Sequence, residues 1–175
     1  AERRRAEANQ PAQIDLKLNN LVDRELISEL YAASRVGVKI RIIVRGMCAL
    51  IPGVKGMSEN IHVISIVDRF LEHPRVMVFH NGGEPKVFIY AVDWMTRNID
   101  RRVEVATPIY NSALKQRIID IDELQFADRV KARVIDQEQT NSYVKRGNQR
   151  KIRSQVEIYN YLKASEKSAA RKLSS

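Results

Sequence analysis

The chain has 175 residues, a length that suits one domain with a sizeable core. No apolar run approaches the ~20 residues of a transmembrane helix, the charged N-terminus lacks a signal-peptide segment, and the lone Cys48 excludes an internal disulfide. The net charge of +9 is concentrated in the last 47 residues, which hold twelve Lys and Arg but four Asp and Glu. Such a segment attracts polyanions, and a solvated basic tail is the alternative.

The first part of the chain predicts a strand–helix–strand unit. Residues 1–12 are expected to be the end of a truncated helix, and residues 14–20 alternate apolar and polar side chains as a strand does. Apolar residues at helical spacing predict a helix over 20–37, with Asn20 as its N-cap. A second strand is predicted over 38–46. Two strands joined by one helix run parallel, with a right-handed crossover.

The rest of the chain predicts one domain over residues 13–164. Residues 61–71 favour a short strand that runs into a helix, and a hairpin follows around the turn sequence NGGE at 81–84. The later elements are a strand, a helix, a strand, a basic loop and a final helix, at 101–110, 111–126, 129–136, 141–151 and 151–165. The predicted fold class is α/β, one mixed sheet flanked by helices. Residues 165–175 are expected to be a disordered basic tail.

Arginine and histidine residues gather near the ends of predicted strands. Arg45 ends the second strand, at the position where ligands bind in many such sheets. His73 and Arg75 form the sequence HPR before the hairpin, and Arg102 lies in DRRVEV. Arginine offers a planar fork of donors to phosphate oxygens. Histidine can attack phosphorus or pass a proton to a leaving oxygen. The set favours chemistry on a phosphate ester or anhydride.

Each candidate also has a structural explanation. Arg45 can pair with a surface acid, and His73 can cap the helix that is predicted before it. Alternation with Val103 and Val105 places Arg102 on the opposite face of a strand from the valines. No cluster of cysteines or histidines has zinc-ligand spacing, so no metal site is expected within the chain.

Several long motifs resemble a known family. They are residues 21–83, residues 93–109 (DWMTRNIDRRVEVATPI), and the shorter runs LKQRIIDI, VKAR and YVKRGNQRKIRSQ. Together they resemble the C-terminal catalytic domain of bacterial polyphosphate kinase, over roughly residues 14–163. The resemblance implies a phospholipase D-like fold. It also implies reversible transfer of the terminal phosphate of ATP to a polyphosphate chain, with Mg²⁺, through a phosphohistidine on the preceding domain.

The resemblance also assigns roles to residues. His73 matches the family's second essential histidine, and Arg45 and Arg102 match arginines that contact the nucleotide phosphates. The role of His73, proton donor or electrostatic stabiliser, stays open. The magnesium-binding residues and most of the adenine pocket belong to other domains, so this chain alone is expected to be inactive. The parent enzyme is expected to be a cytoplasmic homo-oligomer, or one peripherally attached to the inner membrane, that binds ATP or ADP.

Two other functions remain as alternatives. A phosphodiesterase of the phospholipase D type would carry a lysine two residues after the histidine, where this chain has Arg75. A basic module that binds RNA or acidic lipid would need aromatic stacking residues, and aromatics make up 6% of the chain. Charge alone suggests that Lys145, Arg146 and Arg150 line a path for polyphosphate, with no specific affinity for nucleic acid.

Overall fold

A seven-stranded mixed sheet organises the chain. The structure is a computed structural model that describes residues 1–173, with side chains described through Lys167. The strands, in chain order, are β1 (Gln13–Leu18), β2 (Lys39–Val44), β3 (Ile61–Ile66), β4 (Val76–Phe79), β5 (Lys86–Tyr90), β6 (Ala106–Ile109) and β7 (Ala132–Ile135). They lie in the order β6-β5-β4-β1-β2-β3-β7. The central β1, β2 and β3 are parallel, and every other pair is antiparallel.

Five α-helices accompany the sheet within the described residues. They are α1 (Glu2–Glu7), α2 (Arg24–Arg35), α3 (Thr96–Arg101), α4 (Ser112–Phe126) and α5 (Ser154–Leu173). Together with the sheet they confirm the predicted α/β fold class. No helix of the described part combines the length and apolar character needed to cross a membrane.

The predicted strand–helix–strand unit is confirmed as β1, α2 and β2. The central strands carry the core because both of their faces are covered, as in other parallel sheets. Their fully buried side chains include Leu16, Leu18, Ile40, Ile42 and Val63. The predicted N-cap is wrong, since Asp23, not Asn20, accepts the hydrogen bond from the backbone N–H of Leu26, at 3.0 Å.

Two predictions in the middle of the chain are wrong. No helix follows β3, and residues 67–75 are irregular, so His73 has no preceding helix to cap. The strand predicted over 101–110 is confined to β6, because α3 occupies the chain up to Arg101. Val103 is 99% exposed, so the strand alternation used to orient Arg102 does not apply.

The ends of the chain also differ from their predictions. α1 spans Glu2–Glu7 only, and the buried Glu2 joins it to the sheet by accepting from the backbone N–H groups of Gln13 and Asn81. α5 continues to Leu173 and therefore enters the segment 165–175, for which a disordered basic tail was predicted. The segment is rich in Ala, Lys, Glu and Arg, all good helix formers. Residues 174–175 lie outside the described residues.

The buried carboxyl of Asp122, on α4, should make the stability of the fold depend on pH. Burial raises the pKa of Asp122 to about 7, with Lys17 opposing and Asp15 reinforcing the effect. The pKa of Asp122 in the unfolded chain is about 3.9. Ionisation of Asp122 therefore costs no folding stability below about pH 4, and the cost grows as the pH rises to the folded pKa of about 7. We expect Asp122→Asn to be more stabilising at pH 8 than at pH 5 by about 2–3 kcal/mol.

Urea unfolding at the two pH values measures this difference. Asp100→Asn, which removes an exposed carboxyl on α3, controls for a general effect of charge. Equal effects of Asp122→Asn at both pH values would contradict the expectation.

Candidate active site

The predicted site residues lie along one edge of the sheet. β1, β2 and β3 end at this edge, and β4 begins there. Arg45 directly follows β2, and His73 lies three residues before β4. Arg102 lies four residues before β6, whose first residue pairs with the last residue of β5 at the same edge. The three residues therefore flank β2, β4 and β6. In the order of the sheet, one strand separates β2 from β4 and one separates β4 from β6, so neighbouring members of this set are about 10 Å apart.

Asp93 is the centre of a hydrogen-bond network at this edge. Its carboxylate accepts from Arg75 Nε at 2.8 Å and Arg75 Nη2 at 3.1 Å. It also accepts from the backbone N–H groups of Asn19 and Asn20 and from Asn20 Nδ2, at 3.0–3.3 Å. Burial by itself would raise the pKa of Asp93, but the bonds from Arg75 and Asn20 outweigh it and lower the pKa to about 2. Asp93 is therefore a fixed anion that locks Arg75 in place.

Arg45 is oriented by the same network. Its Nε donates to Asn19 Oδ1 at 3.0 Å, and Asn19 is held in turn by Asp93. Nη1 and Nη2 of Arg45 make no hydrogen bond, and the guanidinium has no acid partner, among the residues that the structure describes. The surface ion pair considered for Arg45 is thus not formed there. Two of its three nitrogens remain for an oxyanion.

His73 is exposed and is held through one ring nitrogen. Nδ1 lies 3.1 Å from Arg75 Nη1, which also donates to the His73 carbonyl at 3.3 Å. An arginine has donors only, so in the neutral ring Nδ1 accepts and Nε2 carries the proton. The Nε2–H group is then left to donate to a ligand.

Arg102 and the basic loop lie at the two ends of the edge. Arg102 is exposed and forms no hydrogen bond within the described part of the chain. At the β7 end, the backbone N–H of Val144 donates to the carbonyl of Ala132, which pairs with the last residue of β3. Lys145 and Arg146 follow Val144 and are exposed.

Arg150 differs from the other two predicted loop residues. Its Nη2 contacts both carboxylate oxygens of Glu157, at 3.0 and 3.1 Å. Because Glu157 engages it, Arg150 is less available to an anion than Lys145 or Arg146.

Magnesium does not fit the carboxylates of this edge. Asp93 is bound by Arg75, Glu72 by Lys17, and Asp68 by Arg153. Among the described residues, no group of three or more His, Cys, Asp or Glu side chains could hold a metal ion. These three carboxylates are each paired with a cation, so the described residues of this edge offer no cluster of free oxygen ligands of the kind that Mg²⁺ requires.

The sequence analysis missed the two asparagines that link Arg45 to His73. Asn19 and Asn20 directly follow the apolar strand β1, in the sequence LNN. Two amides placed directly after a buried parallel strand are a usable signal, because ligand sites lie at that end of such strands. Their partner Asp93 is more than 70 residues away in sequence.

Comparison with known proteins gives one consistent result. Residues 1–155 match the family profile described as "Polyphosphate kinase C-terminal domain 2". The chain is 64% identical over 162 residues to a protein of Vibrio vulnificus (strain YJ016), and 57% identical over 161 residues to one of Escherichia coli (strain K12), both named "Polyphosphate kinase". These alignments cover 93% and 92% of this chain and 23% of each relative. The chain thus spans about a quarter of the length of these relatives.

Solved structures agree with the sequence relatives. A polyphosphate kinase from Porphyromonas gingivalis superposes with a TM-score of 0.93 at 42% identity, over 95% of this chain and 26% of that one. A phospholipase D family member, Nuc from Salmonella typhimurium, superposes with a TM-score of 0.55 at 14% identity, over 75% of this chain and 86% of that one. The second likeness concerns the fold alone, and it confirms the expected phospholipase D-like architecture.

Proposed function

This chain belongs to the polyphosphate kinase family, and we propose that it forms one half of an active site that moves the terminal phosphate of ATP to a polyphosphate chain and back. The other half, which carries the phosphohistidine, belongs to the preceding domain of the full-length enzyme. The observation that supports the proposal is the placement of Arg45, His73 and Arg102 on one edge, with donor groups that no other described residue engages. The proposal locates the reaction in the cytoplasm, where ATP is available.

The chemistry requires positioning and charge stabilisation more than covalent catalysis. The transferring phosphoryl group is loosely bonded and spreads negative charge over its oxygens. Arg45 and Arg102 would bind phosphate oxygens from either side of β4, as planar and permanently charged donors. His73 would donate from Nε2–H to an oxygen of the transferring group, because Arg75 occupies the Nδ1 side of the ring. Preorganised donors of this kind stabilise the transition state without reorganising.

Magnesium would enter this scheme from outside the chain. A magnesium ion bound to ATP would neutralise charge on the phosphates, and its protein ligands would come from the preceding domain. In this scheme the described residues of this chain bind phosphate oxygens directly.

The structure gives no support to the phosphodiesterase alternative. Arg75 occupies the position where a phospholipase D-type enzyme would have its lysine. It forms a bidentate ion pair with Asp93. The side chain of Arg75 is only 11% exposed. It therefore serves to hold His73 and is not free to bind a diester.

Complementation tests the proposed function. This chain is combined with the preceding domains supplied as a separate polypeptide, in the presence of magnesium and labelled ATP, and label in acid-insoluble polymer is measured. We expect polymer only when both parts are present. Synthesis by this chain alone, or by the preceding domains alone at the same rate, would contradict the shared site. The intact enzyme run in parallel verifies that the assay conditions support synthesis.

The basic loop supports a further expectation about polyphosphate binding. Lys145 and Arg146 are exposed at the edge, whereas Arg150 is engaged by Glu157. Replacing all three with Ala in the full-length enzyme should weaken the binding of long-chain polyphosphate. The logarithm of the association constant should also fall less steeply with the logarithm of the salt concentration, by about 1–2 in slope. The Lys145→Ala/Arg146→Ala pair should account for most of this change.

Binding titrations at several salt concentrations measure both the affinity and the slope. Arg150→Ala alone is the matched control, and its effect should be the smaller one. Unchanged affinity and slope in the triple variant would exclude the loop from the polyphosphate path.

A further inference from the structure

A partly buried carboxylate, that of Glu72, lies next in sequence to the exposed His73. Glu72 Oε2 accepts from Lys17 Nζ, one residue before the end of β1, and from Gln125 Nε2, on α4. Its other oxygen, Oε1, accepts from Gln155 Nε2 on α5 at 3.0 Å. Three separate elements therefore converge on one side chain of an otherwise irregular segment.

Two of the three partners of Glu72, Lys17 and Gln125, form no other side-chain hydrogen bond among the described residues. The side chain of Lys17 is only 8% exposed, and a buried ammonium is costly unless an anion pairs with it. Gln125 is 2% exposed, and its Oε1 has no hydrogen-bond partner among the described residues. Donation to Glu72 is the one side-chain hydrogen bond that Gln125 makes there.

Gln155 fixes the same segment at a second point. Its Nε2 donates to the carbonyl of Phe70 at 2.8 Å, and its Oε1 accepts from the Phe70 backbone N–H at 3.0 Å. Residues 70 and 72 are thus tied to α5, while Arg75 is tied to Asp93. His73 lies between two anchored positions, although its own side chain has only Arg75 as a partner within the described residues.

Stability alone is a weak explanation for this arrangement. A buried ion pair often contributes no more stability than apolar side chains of the same volume. What the pair does provide is a defined position, because a carboxylate with three donors has one low-energy orientation. The segment has no helical or strand hydrogen bonds of its own to define its path.

We propose that Glu72 is a positioning residue for His73, and that α4 and α5 contribute to phosphoryl transfer through Gln125 and Gln155. The proposal rests on the proposed function, since it presumes that His73 contacts the transferring phosphate. It assigns the C-terminal helix α5 a role in positioning a residue of the active site. Misplacing a reacting group by about 1 Å can cost about 100-fold in rate, so the effect should appear in kcat.

The test compares variants of the full-length enzyme. Glu72→Gln keeps the shape of the side chain but removes its charge, and we expect kcat to fall about 10- to 100-fold, with little change in KM for ATP. Gln155→Ala leaves the Lys17–Glu72 pair in place and should lower kcat in the same direction by less. Glu123→Gln is the matched control, because it breaks another ion pair between the sheet and α4, that of Arg41 with Glu123. It should leave kcat unchanged.

A second readout reports on His73 without using activity. Diethyl pyrocarbonate acylates neutral imidazole, and trypsin releases residues 70–75 as a peptide with His73 as its single histidine. The acylation rate of His73, measured by mass spectrometry without ATP, should change severalfold in Glu72→Gln and stay at the wild-type value in Glu123→Gln.

The two readouts separate the possible failures. Wild-type kcat and wild-type acylation in Glu72→Gln would overturn the proposal, as would equal changes in Glu72→Gln and Glu123→Gln. If His73→Ala itself retains full activity, the proposed function has failed. The acylation rates then still decide whether Glu72 positions the imidazole.

Discussion

Replacing His73 with Ala in the full-length enzyme should reduce kcat for polyphosphate synthesis by about 10²–10³-fold, the usual cost of removing one preorganised donor from a charged transition state. The side chain is exposed, and its one hydrogen bond among the described residues is to Arg75. Its removal should therefore leave the thermal stability near that of the wild type. The measurement is incorporation of labelled phosphate into acid-insoluble polymer at saturating ATP.

A second substitution separates the two roles considered for His73. The amide nitrogen of Gln lies near the position of Nε2 and can donate a hydrogen bond, but it cannot transfer a proton. If His73 acts as a hydrogen-bond donor, His73→Gln should retain clearly more activity than His73→Ala. If the ring delivers a proton to the leaving oxygen, the two variants should be equally impaired.

His62 provides the control for loss of a histidine. It is exposed on β3, one residue after the strand begins, at the edge of the sheet opposite to Arg45 and Asp93. His62→Ala should retain wild-type kcat. Equal losses in His62→Ala and His73→Ala would point to a general effect on the fold, and full activity in His73→Ala would exclude His73 from the reaction.

Local sequence was sufficient where the structure depends on local patterns. β1, α2 and β2 could be predicted from the spacing of their apolar residues, because the apolar residues of each element face the same core. The position of Arg45 at a strand end follows from the same kind of pattern, since it comes directly after the apolar strand β2. The cap of α4 is local in the same way, since Asn111 accepts from the backbone N–H of Leu114, three residues later, at 3.0 Å.

The segment before His73 could not be predicted because its partners are remote. Its apolar residues Phe70 and Leu71 are 64% and 75% exposed, so the helical periodicity there does not reflect a buried face. Asp68 and Glu72 fix the segment instead, through Arg153, Lys17, Gln125 and Gln155, which are 53 to 85 residues away in the chain. Only the tertiary structure brings such donors together.

The junction between β7 and α5 depends on one further residue, Asp128. Its carboxylate is fully buried. Oδ1 accepts from the backbone N–H groups of Val130, Lys131 and Ala132 at 2.8, 2.7 and 3.1 Å. Oδ2 accepts from the N–H of Ser154, the first residue of α5, at 2.7 Å. Burial by itself would raise the pKa of Asp128, but the backbone donors outweigh it and lower the pKa.

Asp128→Ala should lower the free energy of unfolding by about 3–5 kcal/mol, because four backbone donors lose their acceptor at a fully buried position. Asp128→Asn should cost less, since its Oδ1 can keep three of the bonds while its Nδ2 cannot accept from Ser154. Denaturant unfolding at neutral pH measures both losses. The stability that Asp128 contributes is present above the unfolded pKa of about 3.9 and is lost as the pH falls through the lower folded pKa.

Asp136 is the matched control, because it accepts from the backbone N–H of Thr140 at 2.8 Å in an exposed turn. Water can replace that bond, so Asp136→Ala should have a small effect, and an equally large loss there would contradict the role of burial.

Asp128→Asn also connects stability to the site. Ser154 precedes Gln155, which holds Glu72. If α5 positions His73, Asp128→Asn should lower kcat at temperatures where the enzyme is still fully folded.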